Sequence, residues 1–182
     1  VAESGDRVIA ETGQPLRLER IQLTPEDAVQ WAVLIPPLFE SKDIIATENA
    51  AVAQALRQAY DKLQTGDVTQ ADQQLQALLE RAPQSAPAWR LSALANLVLN
   101  RKQNALAAAE QSTRLAPQSA SAWITLSYAQ QADFELTKAT TAIQQALQLE
   151  PDNVLALVNL ARLQFGSDDL DAAWQTLQKA LS

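Results

Sequence analysis

Apolar residues recur at helical spacing along most of this chain. From residue 52 onward, Trp, Leu and Ala return every three or four positions with polar residues between them, which predicts amphipathic helices packed through one apolar face. Gly is scarce while Ala, Leu and Gln abound, and this composition also favours helix. The residues expected to form the core are Trp89, Trp123, Leu75, Leu78, Ile143 and Leu177.

The helical pattern repeats with a fixed period. Pro83, Pro117 and Pro151 follow one another at intervals of 34 residues. Two sets of small residues recur with the same period of 34 residues, and we call each set a small-residue column. The first column is Ala59, Ala93, Ser127 and Ala161, and the second is Ala71, Ala105, Ala139 and Ala173. A period of this length is typical of helical hairpins that bury their apolar faces only by stacking on their neighbours. We therefore predict repeats at residues 52–85, 86–119, 120–153 and 154–182.

A turn between the two helices of each repeat is also visible in the sequence. In the first repeat, Gly66 supplies a residue able to adopt positive φ, and Asp67 supplies a side-chain oxygen to cap the next helix. Asn and Asp tolerate such turns, and the later repeats carry them in the same neighbourhood. These residues are Asn100, Asp133, Asp168 and Asp169.

These columns resemble the tetratricopeptide repeat family. With the prolines at repeat position 32, Trp89 and Trp123 occupy position 4, where that family favours Trp, and the small residues occupy positions 8 and 20. The resemblance implies an all-α solenoid of about four helical hairpins, wound into a right-handed superhelix. The residue pattern before the array adds a short N-terminal β or extended segment. Position 11 departs from the family's common Tyr, so no ligand class is implied. It holds Lys62, Asn96, Gln130 and Gln164.

The same resemblance implies a partner-binding groove lined by the first helix of each repeat. The matching residues are Leu56, Tyr60, Arg90, Leu94, Ile124, Tyr128, Val158, Arg162 and Phe165. Large apolar, Tyr and Arg side chains are typical of protein-binding hot spots. We expect the two Tyr and two Arg side chains to be exposed contacts, and part of the apolar stripe to pack between helices. A dicarboxylate clamp is not expected, because its Lys and Asn positions hold Leu56 and Tyr60.

Composition excludes several classes of function. The chain has no His and no Cys, so it lacks the residues of Ser-His-Asp and Cys-His nucleophile systems and of conventional zinc sites. It also lacks a glycine-rich phosphate loop. A net charge of -7 with dispersed basic residues argues against a nucleic-acid partner. We predict a protein that is not an enzyme and that has no cofactor and no metal.

The N-terminal 40 residues have a different pattern. Apolar and polar residues alternate around Val8 and Leu16 with a turn between them, which predicts two short strands. Thr24-Pro25-Glu26-Asp27 predicts a short helix to about Leu34, ended by Pro36-Pro37. The apolar run from Trp31 to Phe39 is too short to span a membrane and is interrupted by Pro36-Pro37, so membrane insertion is not expected. We predict that residues 1–40 are the tail of a missing domain and that residues 41–182 form the repeat array.

The tract from Leu23 to Ala32, followed by Pro36-Pro37, resembles the junction of bacterial envelope proteins in which a FecR-like β domain precedes a tetratricopeptide array. This resemblance implies a bacterial protein of the periplasm or cell envelope, with the cytoplasm as the alternative.

Two functions fit the sequence. In the first, the groove binds a protein or peptide partner in an envelope assembly. In the second, the array is a spacer or self-associating oligomer whose groove holds its own N-terminal segment. Leu170, Trp174, Leu177 and Leu181 need burial near the end of the array. We therefore expect either that the parent protein continues beyond this segment or that a homo-oligomer forms through this end or through the N-terminal segment.

Overall fold

A computed structural model describes the backbone of residues 7–9 and 15–17 and residues 50–181 in full. Within these residues the chain forms eight helices arranged as four consecutive hairpins. They are α1 (Ala50–Gln64), α2 (Val68–Arg81), α3 (Ala86–Val98), α4 (Lys102–Leu115), α5 (Ala120–Ala132), α6 (Leu136–Leu149), α7 (Val154–Gly166) and α8 (Leu170–Leu181). The helices α2, α4 and α6 each pack on the first helix of the next hairpin, which makes the array a solenoid and confirms the predicted fold class.

The turn inside each hairpin has one residue in the left-handed region. Gly66, Asn100 and Asp168 have φ values of 83°, 54° and 64°, as their residue types predict. In the third hairpin Asp133 lies in the turn as predicted, but the residue with positive φ is Phe134, at 60°. The repeat spacing, rather than the residue type, determines where the turn falls.

Side-chain N-caps are present at the first helices of the last three hairpins and at α8, where Asp169 Oδ1 accepts a hydrogen bond from the Ala172 backbone N–H at 3.3 Å. Ser85, Ser119 and Asn153 precede α3, α5 and α7, and each side chain accepts a hydrogen bond from a backbone N–H of the first turn at 3.0–3.3 Å. The predicted capping oxygen of Asp67 is wrong, since its side chain makes no cap hydrogen bond to α2. Its carboxylate instead accepts a hydrogen bond from Lys62 Nζ at 3.3 Å.

The two columns of small residues are buried within the array. Ala59, Ala71, Ala93, Ala105 and Ser127 are fully buried. The remaining three members, Ala139, Ala161 and Ala173, are buried as well. A larger side chain at any of these positions would overpack the interior.

A Trp–Pro contact joins successive hairpins. Trp89 Nε1 donates a hydrogen bond to the Pro83 carbonyl oxygen at 2.8 Å, and Trp123 Nε1 makes the same bond to Pro117 at 2.8 Å. Both indole rings are half-buried and pack against the core. The prediction that these Trp residues serve packing is confirmed.

The core prediction is wrong for Leu177. Its equivalents one and three repeats earlier, Ile143 and Leu75, are fully buried, whereas Leu177 is 38% exposed. The physical reason is that α2, α4 and α6 are each covered by the first helix of the next hairpin, while α8 has no such neighbour among the described residues.

Two short strands lie before the array. β1 (Arg7–Ile9) and β2 (Pro15–Arg17) pair antiparallel, with Val8 opposite Leu16. The predicted helix at residues 24–34 and the Pro36-Pro37 terminator lie outside the described residues, and the division at residue 40 stays a prediction. Among the helices described, none is both long enough and apolar enough to cross a membrane.

Candidate functional site

The predicted groove residues lie on α1, α3, α5 and α7, the first helices of the four hairpins. Three of them, Leu56, Leu94 and Ile124, are buried in the hydrophobic core. These three therefore stabilise the array in this conformation and are not available for contact with a partner.

Two of the expected exposed contacts are buried as well. Arg90 and Tyr128 are each only 3% exposed, so the expectation of exposed side chains is wrong for both. Arg90 reaches the next hairpin, where its Nη1 donates a hydrogen bond to Ser121 Oγ. The ring of Tyr128 is packed against the core and lies beneath the guanidinium of Arg162. Both side chains therefore link neighbouring first helices.

Three predicted groove residues of the last hairpin are exposed and share one face of α7. Val158, Arg162 and Phe165 follow one another at spacings of four and three residues, which places them on a single helix face. Val158 is 43% exposed and Phe165 is 68% exposed, and Arg162 is exposed between them. We call these three residues the α7 patch.

Arg162 is held in place by the preceding hairpin. Its Nη2 donates hydrogen bonds to Gln131 Oε1 and, at 3.0 Å, to Asn159 Oδ1. Its Cζ lies 5.5 Å from the centre of the Tyr128 ring, which is cation–π geometry. A guanidinium fixed on one side in this way still presents its remaining N–H groups to solvent in a defined direction.

Gln131 and Asn159, which accept the hydrogen bonds of Arg162, belong to a buried polar network that the sequence analysis did not predict. Gln131 Nε2 donates to Asn159 Oδ1 at 3.1 Å, and Asn159 Nδ2 donates to Ser127 Oγ at 3.2 Å. All three side chains are buried. The available signal was Ser127, the one polar member of the small-residue column at repeat position 8.

Tyr60 lies at the other end of the predicted groove and is half-buried. Its hydroxyl accepts a hydrogen bond from Gln64 Nε2 at 2.8 Å. Burial raises the pKa of Tyr60, with a further contribution from the Asp61 carboxylate, while the Gln64 hydrogen bond opposes the rise. Burial also raises the pKa of Tyr128, and the positive charge of Arg162 opposes that rise. Both tyrosines are therefore neutral at physiological pH.

In the part of the chain that the structure describes, no three His, Cys, Asp or Glu side chains are close enough together to hold a metal ion. A shallow depression of about 480 Å³ beside the first hairpin is lined by Gln58, Asp61, Lys62, Thr65 and Gln74. None of the predicted groove residues lines it.

Several solved structures share this fold. MamA matches with a TM-score of 0.64 at 23% identity, over 71% of this chain and 76% of that one. TTC0263, a thermophilic protein of Thermus thermophilus, matches with a TM-score of 0.67 at 23% identity, over 71% and 72%. An O-GlcNAc transferase mutant of Thermobaculum terrenum matches with a TM-score of 0.61 at 24% identity, over 66% of this chain and 23% of the transferase. At these identities the similarity shows the fold alone.

Family models agree with the structural matches. Two models, each described as tetratricopeptide repeat, match residues 56–120 and 131–182. Neither reaches the first 55 residues, so the proposed FecR-like junction gains no support from them. No curated protein matches the sequence significantly. The family matches, the hairpin solenoid and the repeated turn geometry together identify this chain as an array of tetratricopeptide repeats.

Proposed function

We propose that this protein is a non-enzymatic interaction module that binds a protein or peptide partner on the inner face of its array, with the α7 patch as the main contact. The observation that carries this proposal is the exposed Arg162, held by Gln131, Asn159 and Tyr128, between the exposed side chains of Val158 and Phe165. Exposed apolar side chains around an anchored Arg are a typical protein-binding hot spot.

The chemistry of the patch indicates the kind of ligand. Arg162 can bind a carboxylate through two N–H groups, and because its conformation is already restricted, binding loses less side-chain entropy. Val158 and Phe165 can bury apolar side chains on both sides of that carboxylate. The expected ligand is a peptide segment in which an Asp or Glu is flanked by large apolar residues.

The non-enzymatic part of the proposal rests on the residues of the whole chain, which contains no His and no Cys. The transferase match does not change this proposal, because the array corresponds to only 23% of that enzyme. A bacterial envelope location is also a proposal, based on the resemblance of the N-terminal tract. Fractionation of the producing cells tests it, and recovery in the cytoplasm alone would contradict it.

A second function has its own supporting observation. The predicted groove residues of the two central hairpins, Arg90, Leu94, Ile124 and Tyr128, are all buried, so they offer little surface to an external ligand. The alternative is that residues 24–40 lie in the central groove and the array acts as a spacer, an arrangement that would leave the same side chains buried. In that case an external ligand reaches only the α7 patch until the N-terminal segment is removed.

Selection of displayed peptides on the purified protein tests the first function. We expect enriched peptides to contain an acidic residue flanked by large apolar residues, and we expect Arg162→Gln to weaken their binding by about 1.5–3 kcal/mol, the value of a hydrogen bond to a charged group. The matched control is Arg114→Gln, because Arg114 is an exposed Arg on α4 that pairs only locally with Gln111.

The outcomes separate the two functions. Peptides without an acidic residue, or equal binding by the Arg162→Gln variant, would contradict the α7 patch as the site. If deletion of residues 1–40 leaves the selected sequences and their affinities unchanged, the N-terminal segment does not fill the groove. Stronger binding with new contacts at Tyr128 after the deletion would support the second function.

A further inference from the structure

Three buried polar side chains lie where α5 meets α7. They are Ser127 and Gln131 of α5 and Asn159 of α7, and all three are buried. Gln131 Nε2 donates to Ser127 Oγ at 3.1 Å and to Asn159 Oδ1 at 3.1 Å. Asn159 Nδ2 donates to Ser127 Oγ at 3.2 Å, so each side chain is bonded to the other two. We call these three residues the polar triad.

The array shows that apolar side chains can fill the same positions. The polar triad occupies repeat positions 8 and 12 of one hairpin and position 6 of the next. Around the junction of the first two hairpins, these positions hold buried residues of the hydrophobic core, namely Ala59, Leu63 and Leu91. At the second junction they hold Ala93, Leu97 and Thr125. Because buried polar groups cost free energy, the polarity of the third junction needs a reason other than packing.

The third junction differs from the others in the residue that it meets at repeat position 9. There the earlier hairpins have Leu94 and Tyr128, whereas the last hairpin has Arg162. Arg162 Nη2 donates to the side-chain oxygens of both Gln131 and Asn159. The polar triad therefore coincides with the Arg of the α7 patch.

The donor chemistry of Arg fixes the orientation of both amides. A guanidinium carries donors and no acceptor, so the oxygens of Gln131 and Asn159 face it and their nitrogens point away. Each buried nitrogen then needs an acceptor, and Ser127 Oγ accepts from both. A hydroxyl oxygen has two lone pairs and can accept two such bonds. Ser127 is thus linked to Arg162 through two amides.

We propose that the polar triad positions Arg162, with Ser127 orienting the two amides whose oxygens hold the guanidinium. Among the described residues, the guanidinium is hydrogen-bonded through Nη2, so the N–H groups of Nε and Nη1 stay available to a ligand. The consequence for binding rests on the proposed function, since it assumes that the α7 patch contacts a carboxylate.

Positioning should strengthen carboxylate binding without adding a contact. Ordering a long side chain during binding lowers affinity by a factor of roughly two to ten. Because Arg162 is held in the free protein, that loss of freedom occurs on folding rather than on binding. Removal of the polar triad should therefore weaken binding by the same factor.

Nitrogen NMR of the Arg side chains tests the positioning without any ligand. Slow rotation of a held guanidinium about its Nε–Cζ bond gives separate signals for the two Nη groups, whereas fast rotation merges them. We expect separate signals for Arg162, assigned by their loss in Arg162→Gln, and a merged signal for the exposed Arg57. In Ser127→Ala, which removes the shared acceptor, the Arg162 signals should merge.

Two further variants separate positioning from a general loss of packing. Thr125→Val is the matched control, because Thr125 and Ser127 are both fully buried on α5 and each substitution removes one hydroxyl. The Thr125 hydroxyl donates to the Ser121 backbone oxygen at 2.9 Å, outside the polar triad.

The combined variant Ser127→Ala, Gln131→Leu and Asn159→Leu copies the first junction. Its helices and denaturation midpoint should be kept, since replacement of all hydrogen-bonding partners by apolar groups can be nearly neutral. Circular dichroism checks the fold of each variant. If Ser127→Ala does not fold, merged Arg162 signals in the combined variant support the proposal.

A synthetic peptide with one Glu between two Leu residues measures the consequence for binding, beside the same peptide with Gln in place of Glu. We expect the unmodified protein to prefer the Glu peptide. Ser127→Ala and the combined variant should weaken its binding roughly two- to tenfold, and Thr125→Val should not. If neither peptide binds the unmodified protein, the proposed function fails, and the NMR signals still decide whether the polar triad positions Arg162.

Merged Arg162 signals in the unmodified protein would overturn the proposal, as would separate signals that persist in the combined variant. Separate signals in a folded Ser127→Ala variant would overturn the role of Ser127. Merged signals in Thr125→Val would also count against it, because loss of any buried hydroxyl on α5 would then have the same effect. If the combined variant binds the Glu peptide as tightly as the unmodified protein, the effect on binding is refuted while the α7 patch stands as the site.

Discussion

The repeated Trp–Pro contact predicts how replacement of one Trp affects stability. Trp123 Nε1 donates to the Pro117 carbonyl oxygen at 2.8 Å, and the bond lies at the protein surface. Trp123→Phe removes the hydrogen-bond donor, and water can then bind the Pro117 carbonyl oxygen in its place. Loss of this bond should therefore lower the free energy of unfolding by about 0.5–1.5 kcal/mol, the net contribution of a typical hydrogen bond. The Phe ring is also smaller than the half-buried indole ring, and the lost packing should lower the free energy of unfolding by roughly 1 kcal/mol more.

Trp123→Ala should cost more than Trp123→Phe, because it removes the whole ring. Full truncation of a buried Trp costs about 3–5 kcal/mol, and the half-buried ring places this variant at the lower end of that range. Trp89→Phe is the matched variant, since Trp89 makes the same bond to Pro83 at 2.8 Å. The two Phe variants should therefore lose similar amounts of stability.

Chemical denaturation followed by far-ultraviolet circular dichroism measures these differences without depending on Trp fluorescence. If Trp123→Phe and Trp89→Phe are both as stable as the unmodified chain, the indole hydrogen bond contributes nothing measurable. If Trp123→Phe is as unstable as Trp123→Ala, the reasoning that separates hydrogen bonding from packing is refuted.

Two further predictions concern the buried hydroxyl of Tyr128 and the positive φ of Phe134. Burial raises the pKa of Tyr128, so the folded state keeps this hydroxyl protonated to higher pH than the unfolded state. The free energy of unfolding should therefore be unaffected by this group below about pH 10 and should fall above it. Tyr128→Phe should reduce that fall, as measured by denaturation midpoints up to about pH 11. Phe134 has a φ of 60° and a ring that is 62% exposed, with Lys102 Nζ 5.0 Å from its centre. Asn tolerates this conformation, so replacing Phe134 with Asn should remove about 1–2 kcal/mol of backbone strain. This gain should exceed the loss of about 0.5–1 kcal/mol from the cation–π contact with Lys102. Phe134→Asn should therefore have a higher denaturation midpoint, and a clear decrease would contradict the assignment of strain.

The buried positions of Arg90 and Tyr128 change how the groove should be tested. Their replacement by Ala would remove contacts between hairpins as well as any ligand contact, so a loss of binding would not distinguish the two effects. Phe165 is the better target, because it is 68% exposed. Arg162 is exposed as well, but it bonds to Gln131 of the preceding hairpin, so the stability of an Arg162 variant must be measured beside its binding.

Local and periodic features were predictable from the sequence. The helices, the small-residue columns and the turns at Gly66, Asn100 and Asp168 follow from residue type and spacing, which act over a few residues. Phe134 could not be predicted from residue type, because there the geometry of the hairpin overrides the local preference of the side chain.

The repeat, its helices and the residues at each repeat position are properties of the sequence. Which of those residues are exposed depends on the assembled array. Ile124 and Val158 occupy the same repeat position, yet the first is buried and the second is 43% exposed. Likewise, Ile143 is buried while its equivalent Leu177 is exposed. The physical reason is that burial in a solenoid depends on the neighbouring hairpins, so equivalent residues meet different surroundings in the middle and at the end of the array.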